Sequence, residues 1–163
     1  MAAPIEAVRM PDRVAGTDEL VLEIPPDPEQ IRTARLFAAA SARHFGIDEE
    51  RVEDLKVAIS EACTNAMKAH RHSGLGDPIR VIATPDPGGV RFAVVDAGAG
   101  FDPPEALVEA EDDAPPSGIT EGTLGLALIG ALFPGAEIER NAGRGMTVLI
   151  FVEHSNAEAP DLS

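Results

Sequence analysis

Glu61, Asn65, Lys68 and His72 follow one another at spacings of four, three and four, which on a helix aligns them along one side. A carboxylate and a carboxamide one turn apart are hard oxygen donors, suited to holding Mg²⁺ or to positioning a water or a hydroxyl. A polar stripe of this kind is also what any amphipathic helix turns toward water. A second group, Asp96-Ala-Gly-Ala-Gly-Phe101, directly follows the run Val90–Val95. Its glycines permit positive φ or close approach of a ligand to the backbone, and equally suit a tight turn leaving a strand. The third group, Glu121-Gly-Thr-Leu-Gly-Leu-Ala-Leu-Ile129, puts glycines at the start of an apolar segment. Gly inside a helix costs about 1 kcal/mol relative to Ala, so Gly125 needs a reason. One is close packing of the helix; another is a phosphate resting on the exposed N–H groups of the first turn. Neither glycine group is a dinucleotide fingerprint or a P-loop: the first opens a long acidic segment rather than a helix, and no Gly-Lys-Ser or Gly-Lys-Thr follows the second.

The elements that must position these groups can be read from the pattern. Leu20–Ile24 reads as a strand ended by Pro25 and Pro26. Asp27 is placed to cap a helix, with Pro28 at its first position, Gln30 three residues after the cap to bond back, and Gly46 at its end. Asp48 opens a longer helix in which Val52, Leu55, Ile59, Ala62, Ala66 and Ala69 repeat at helical spacing and face the core. His70, Arg71 and His72 suit its last turn and Gly74 its stop. Strands follow at Ile79–Thr84 and Val90–Val95, joined through Pro85–Gly89. From Asp96 to Glu121 there are eight acids, no Lys or Arg, and four prolines, the composition of a long mobile loop and a natural binding loop. A short apolar helix over Gly122–Phe133 and a hairpin of Ala136–Arg140 with Met146–Val152 complete the order. This succession predicts an α+β fold, helices layered on one face of a mixed, mostly antiparallel sheet. Residues 1–18 and 154–163 read as loose ends around one folded domain over 19–153.

Composition narrows the function. With 13 Lys and Arg against 28 Asp and Glu, the net charge is −15, so phosphate backbones repel the chain and direct nucleic-acid binding is not expected. No apolar run reaches the roughly 18 residues of a membrane span, and no signal peptide is expected at the start. The single Cys63 forms no internal disulfide and reads as a small buried apolar residue; together these features predict a soluble, cytoplasmic protein. His44 and His154 lack ligand spacing, and no zinc pattern is present.

Taken together, the three groups resemble the GHKL ATPases and, within them, the short anti-sigma-factor serine/threonine kinases. Glu61-Ala-Cys-Thr-Asn-Ala-Met-Lys68 looks like the N box, Asp96-Ala-Gly-Ala-Gly-Phe-Asp-Pro103 like the G1 box, and Gly122-Thr-Leu-Gly-Leu126 like the G2 box. Met146-Thr-Val-Leu149 resembles the closing strand that carries a Thr near the nucleotide, and the likeness spans about residues 20–152. The resemblance implies a two-layer α/β sandwich binding ATP and Mg²⁺, with residues 102–121 as a lid. It implies that Asp96 accepts a hydrogen bond from the adenine amino group, that Gly98 and Gly100 admit the base, and that Thr147 lies nearby. Asn65 would hold Mg²⁺, Gly122, Leu124 and Gly125 would offer backbone N–H groups to the phosphates, and Glu61 would take the proton of the attacking hydroxyl. The family commonly carries a His four residues after the Asn. Here that position is Ala69, and His70, one residue on, receives no site role. Glu121 and Thr123 stand where a basic residue and another glycine are common, leaving phosphate charge to Mg²⁺, the helix start and Lys68 or Arg144. The partners implied are a sigma factor and, as phosphorylation substrate, an anti-anti-sigma antagonist, with a homodimer as the assembly. A non-catalytic module that sequesters its partner is the rival reading, motivated by the altered G2 box and the anionic lid.

Overall fold

A computed structural model of the chain describes residues 9–13, 18–74, 76–98, 121–141 and 145–155. Strands β1 (Arg9–Arg13) and β2 (Leu20–Ile24) lead into a 3₁₀ turn at Pro28–Gln30, then helices α1 (Ile31–His44) and α2 (Glu49–Ser73). Strands β3 (Ile79–Asp86) and β4 (Gly89–Val95) come next, followed by helix α3 (Glu121–Leu132) and strands β5 (Glu137–Arg140) and β6 (Met146–Glu153). The six strands form one sheet in the order β1-β2-β3-β4-β6-β5, and every described pairing is antiparallel. The α+β expectation of helices over a sheet holds, with no parallel pair among the described strands.

Local chemistry explains the boundaries. Asp27 Oδ1 accepts from the Glu29 N–H at 3.0 Å, so the expected cap is made, but to a 3₁₀ turn that precedes α1. Gln30 does not bond back to it; its Oε1 accepts from the Thr33 hydroxyl instead. Asp48 stands at the N-cap of α2 without a side-chain cap bond, and Glu49 beside it pairs with Arg43 at the end of α1. Gly46 and Gly74 end their helices with φ of 90° and 69°, the left-handed values that favour glycine. The β3–β4 hairpin is tighter than its Pro- and Gly-rich connection suggests, with pairing running out to Asp86 and Gly89. Gly89 is required by β6: a Cβ there would lie 2.0 Å from the Val152 carbonyl oxygen.

Arg9–Arg13 lies inside the stretch expected to be loose, yet it pairs with β2 at the sheet edge, with its register shifted between Arg9 and Asp12. Pro11 removes a donor from this strand, which an edge position and an irregular register tolerate and a central strand does not. It carries no apolar alternation to announce it. At the other end His154, placed in the loose tail, is anchored: its N–H donates to Gly88 O and its Nε2 lies 3.0 Å from Phe45 O.

The core lies between the sheet and the helices. Val52, Leu55, Ile59, Ala62 and Ala66 of α2 are buried as the stripe predicts, against Ile24, Val81, Phe92, Val94 and Ile150 of the sheet and Leu126, Ile129 and Phe133 from the α3 region. Arg51 near the start of α2 stacks its guanidinium over the Phe133 ring, 4.5 Å from the centroid, tying α2 to the end of α3. The opposite sheet face carries no described helix. In register across it run Val21, Ile82, Ala93 and Leu149, an apolar row crossed at one side by the Glu23–Arg80 ion pair. Among the described residues no helix is long and apolar enough to cross a membrane.

Candidate functional site

Helix α2 packs α3 along the face next to its core stripe. Between them lies a groove of about 350 Å³, lined by Glu61, Thr64, Asn65 and Lys68 from α2 and by Leu124, Gly125 and Leu128 from α3. The first and third sequence groups are thus brought together, including five of the residues expected at the site. Thr64 and Leu128 are additions. Thr64 Oγ1 is turned back to Ser60 O at 2.8 Å, and Leu128 follows Leu124 by one helical turn.

Gly125 receives its reason here. A Cβ at this position would meet Glu61 Oε1 at 2.6 Å and Asn65 Nδ2 at 3.6 Å. Because α3 begins at Glu121, Gly122 stands in the first turn, among the N–H groups without intrahelical partners, whereas Gly125 is one turn in, where its N–H closes on the helix ladder. What Gly125 supplies is space for the Glu61 carboxylate.

The second group sits at the other end of the same stretch of α2. The Asp96 backbone continues the pairing of β4 with β6, its N–H donating to Met146 O at 2.9 Å. Its Oδ1 accepts from the Gly98 N–H at 2.9 Å and the Met146 N–H at 3.3 Å, which leaves Oδ2 as the oxygen without a described partner. Burial pushes this carboxyl above the ordinary aspartate value, and the two N–H donors pull it partly back. Gly98 is packed on α2 so closely that a Cβ would lie 2.5 Å from Ala69 Cβ. Ala69 thus closes the core stripe under the glycine turn. Asn141 joins the hairpin to this turn, donating from Nδ2 to Asp96 O at 3.0 Å while its Oδ1 accepts from Thr147 Oγ1 at 2.6 Å. Gly145, at φ 94°, passes directly over the Asp96 carbonyl, where a Cβ would be 1.9 Å from the oxygen. Gly100, residues 102–120 of the expected lid, and Arg144 lie outside the described residues.

His70 is the residue that sequence reasoning set aside and the structure brings in. It is fully buried, and its Nε2 accepts from the Ala97 N–H at 2.9 Å, directly beneath the Asp96 turn. A signal for this existed: Ile59, Cys63, Met67 and His70 succeed one another at four, four and three, a second buried line on α2. Cys63 is buried as expected, its thiol pushed up to about 12 by desolvation, so it stays protonated and unreactive at neutral pH.

The profile of the histidine kinase-like ATPase domain matches residues 24–151. The chain is also similar to proteins named serine-protein kinase RsbW. It is 29% identical over 153 residues to that of Bacillus pumilus (86% of this chain, 90% of the relative). Identity is 27% with that of Oceanobacillus iheyensis (91% and 96%) and 28% with that of Bacillus subtilis (90% and 91%).

Two outcomes follow from this geometry. In Gly125→Ala the atom met is the free end of a flexible side chain, so the Glu61 carboxylate moves and the helix does not break. The urea midpoint should hold or rise, since Ala favours a helix by about 1 kcal/mol, while any activity that needs Glu61 in place falls at least about tenfold, the effect of roughly 1.4 kcal/mol of misplacement; a stable variant of full activity would refute the contact's role. For Asp96 the folded protein binds its proton more tightly than the unfolded chain. Its contribution to stability is therefore present below the ordinary aspartate pKa and lost as pH rises through the raised one. Asp96→Asn keeps an Oδ1 acceptor for Gly98 and Met146 and removes the charge. Its stability relative to wild type should climb across the interval above about pH 4 and stay level or higher at pH 7; parallel stability curves from pH 3 to 7 would contradict this.

Proposed function

The chain belongs to the histidine kinase-like ATPase domain family, and on that footing we propose that it is an ATP-dependent protein serine/threonine kinase of the cytoplasm. In this proposal it holds a sigma factor and phosphorylates an anti-anti-sigma antagonist. The observation that carries it is the groove in which Glu61, Asn65 and Lys68 face Leu124 and Gly125. The names of the relatives, serine-protein kinases from three bacilli, support the same reaction class.

ATP would lie along α2 with its base at the Asp96 turn and its phosphates in the groove. Asp96 Oδ2 accepts from the adenine amino group, Gly98 and Gly100 let the base reach the backbone, and Thr147 borders it. Gly122 and Leu124 belong to the start of α3, where N–H groups and the helix dipole favour phosphate oxygens. Lys68 adds a cation. The donors in the groove fit Mg²⁺, since Asn65 offers a hard carboxamide oxygen next to the Glu61 carboxylate. Among the described residues no cluster of three or more His, Cys, Asp or Glu stands ready to hold an ion, so phosphate oxygens and water must supply the remaining ligands. When bound there, Mg²⁺ would neutralise and orient the phosphates.

Glu61 accepts the proton of the serine or threonine hydroxyl as its oxygen bonds to the γ-phosphorus. The bond from that phosphorus to the bridging oxygen breaks, and ADP leaves with the bonding electrons. Most of the acceleration comes from positioning and charge stabilisation, so the carboxylate's main task is to orient the hydroxyl. The reading also includes a homodimer, supported by the row Val21, Ile82, Ala93 and Leu149 on the sheet face without a described helix.

The deciding experiment is transfer of labelled phosphate from ATP to the cognate antagonist, with Mg-ATP affinity measured in parallel by calorimetry. Glu61→Gln should lower transfer by about 10²–10⁴-fold, the usual worth of a positioned acid–base group, and leave ATP affinity within a few-fold. Wild type that captures a sigma factor yet transfers no phosphate would replace the kinase with the sequestering module. For the dimer, Leu149→Glu should convert a sedimenting dimer into a folded monomer; wild type that sediments as a monomer at all concentrations ends that part.

A further inference from the structure

His70 carries a polar ring into a place where an apolar side chain would pack without difficulty. It lies on the buried line of α2 with no exposed surface, and its Nδ1 has no hydrogen-bond partner among the described residues. An unsatisfied buried donor destabilises the fold, so the residue is compensated by what its other nitrogen does. Nε2 accepts the Ala97 N–H at 2.9 Å. An acceptor nitrogen bears no proton, so the neutral ring carries its hydrogen on Nδ1. Ala97 stands between Asp96 and Gly98. The Asp96 turn is therefore held from the sheet by Met146, from the β5–β6 hairpin by Asn141, and from the helix layer by His70. Of these ties, the helix one fixes how deep the turn sits over α2, where Gly98 already touches Ala69.

We infer that His70 is a positioning residue for base selection: it sets the Asp96 turn at the depth where Oδ2 meets an amino group on the purine ring. The inference rests on the proposed ATP site. A carboxylate oxygen in that place accepts from the 6-amino group of adenine and opposes the 6-carbonyl oxygen of guanine, an unpaired and repulsive contact. If Ala97 is released, the turn can shift, and the discrimination weakens along with the affinity. Asp96 is the charged group that faces His70 from the sheet.

The test compares three proteins at one pH. His70→Leu removes the acceptor and keeps an apolar filling. His70→Gln places a carbonyl oxygen where Nε2 was and restores it. Binding of Mg-ATP and Mg-GTP is measured by calorimetry, thermal unfolding by calorimetric scan, and exchange of the Ala97 amide by NMR without nucleotide. His70→Leu should lose about tenfold in ATP affinity, the net worth of one hydrogen bond, with the ATP-to-GTP preference falling toward one, fast exchange at Ala97, and a melting temperature at or above wild type. His70→Gln should recover the affinity, the preference and the amide protection. A Gln variant no better than Leu, or a Leu variant that keeps the base preference, overturns the inference, and so does a loss that merely follows the melting temperature. Should wild type bind neither nucleotide, the ATP site itself is lost and base selection with it; Ala97 exchange then reports separately whether His70 holds the turn.

Discussion

Helix α3 approaches α2 so closely at Gly125 that one added methyl would press on the Glu61 carboxylate at 2.6 Å. Much else is arranged around that approach. To let two helices meet at a glycine, α2 must be held at a fixed height above the sheet, which its buried stripe from Val52 to Ala66 secures against Phe92, Val94 and Ile150. The Arg51–Phe133 stack then ties the start of α2 to the end of α3. The groove is a consequence: where Leu126 and Ile129 turn inward, Leu124 and Leu128 remain at the surface, and the polar line of α2 faces them.

Electrostatics sharpen the picture. In a chain of charge −15, the groove gathers one lysine and adjoins the start of a helix, both sources of local positive potential. On the proposed reading, phosphate binding at such a site would depend on a divalent cation more steeply than at one built from several Arg and Lys side chains. A net charge of that sign disfavours contact with phosphate backbones and favours neutral or basic protein surfaces.

Much of this was legible in the sequence because it rests on period and punctuation. The α2 stripe, Gly46, Gly74 and the strand runs declare themselves through spacing alone, and the first and third motif groups lie on helices that the pattern predicts. Other features were hidden for physical reasons. Strand β1 holds Pro11 and no alternation, so only its pairing with β2 reveals it. Gly125 showed that something came close without showing whether it was a ligand or Glu61, because a glycine reports space and not its occupant. His70 was missed through comparison with a position one residue earlier, although its own helical line pointed inward. Asn141 and Gly145 read as an ordinary hairpin turn, since their task, holding the Asp96 carbonyl from two sides, exists only once β6 lies beside β4.

Asp96 shows how the two halves of the site differ. Its charge is partly buried, one oxygen is satisfied by backbone donors, and the other has no described partner. A partly buried carboxylate in that condition is destabilising, and a donor reaching the second oxygen would offset the cost. That second oxygen sits on a turn fastened to sheet, hairpin and helix, where little can relax. Glu61 is the reverse: a flexible side chain beside a glycine, partly exposed and free to adjust. On the proposed reading, a rigid turn at one end of α2 and an adjustable carboxylate at the other would let nucleotide binding and group transfer be altered separately, although one helix carries both.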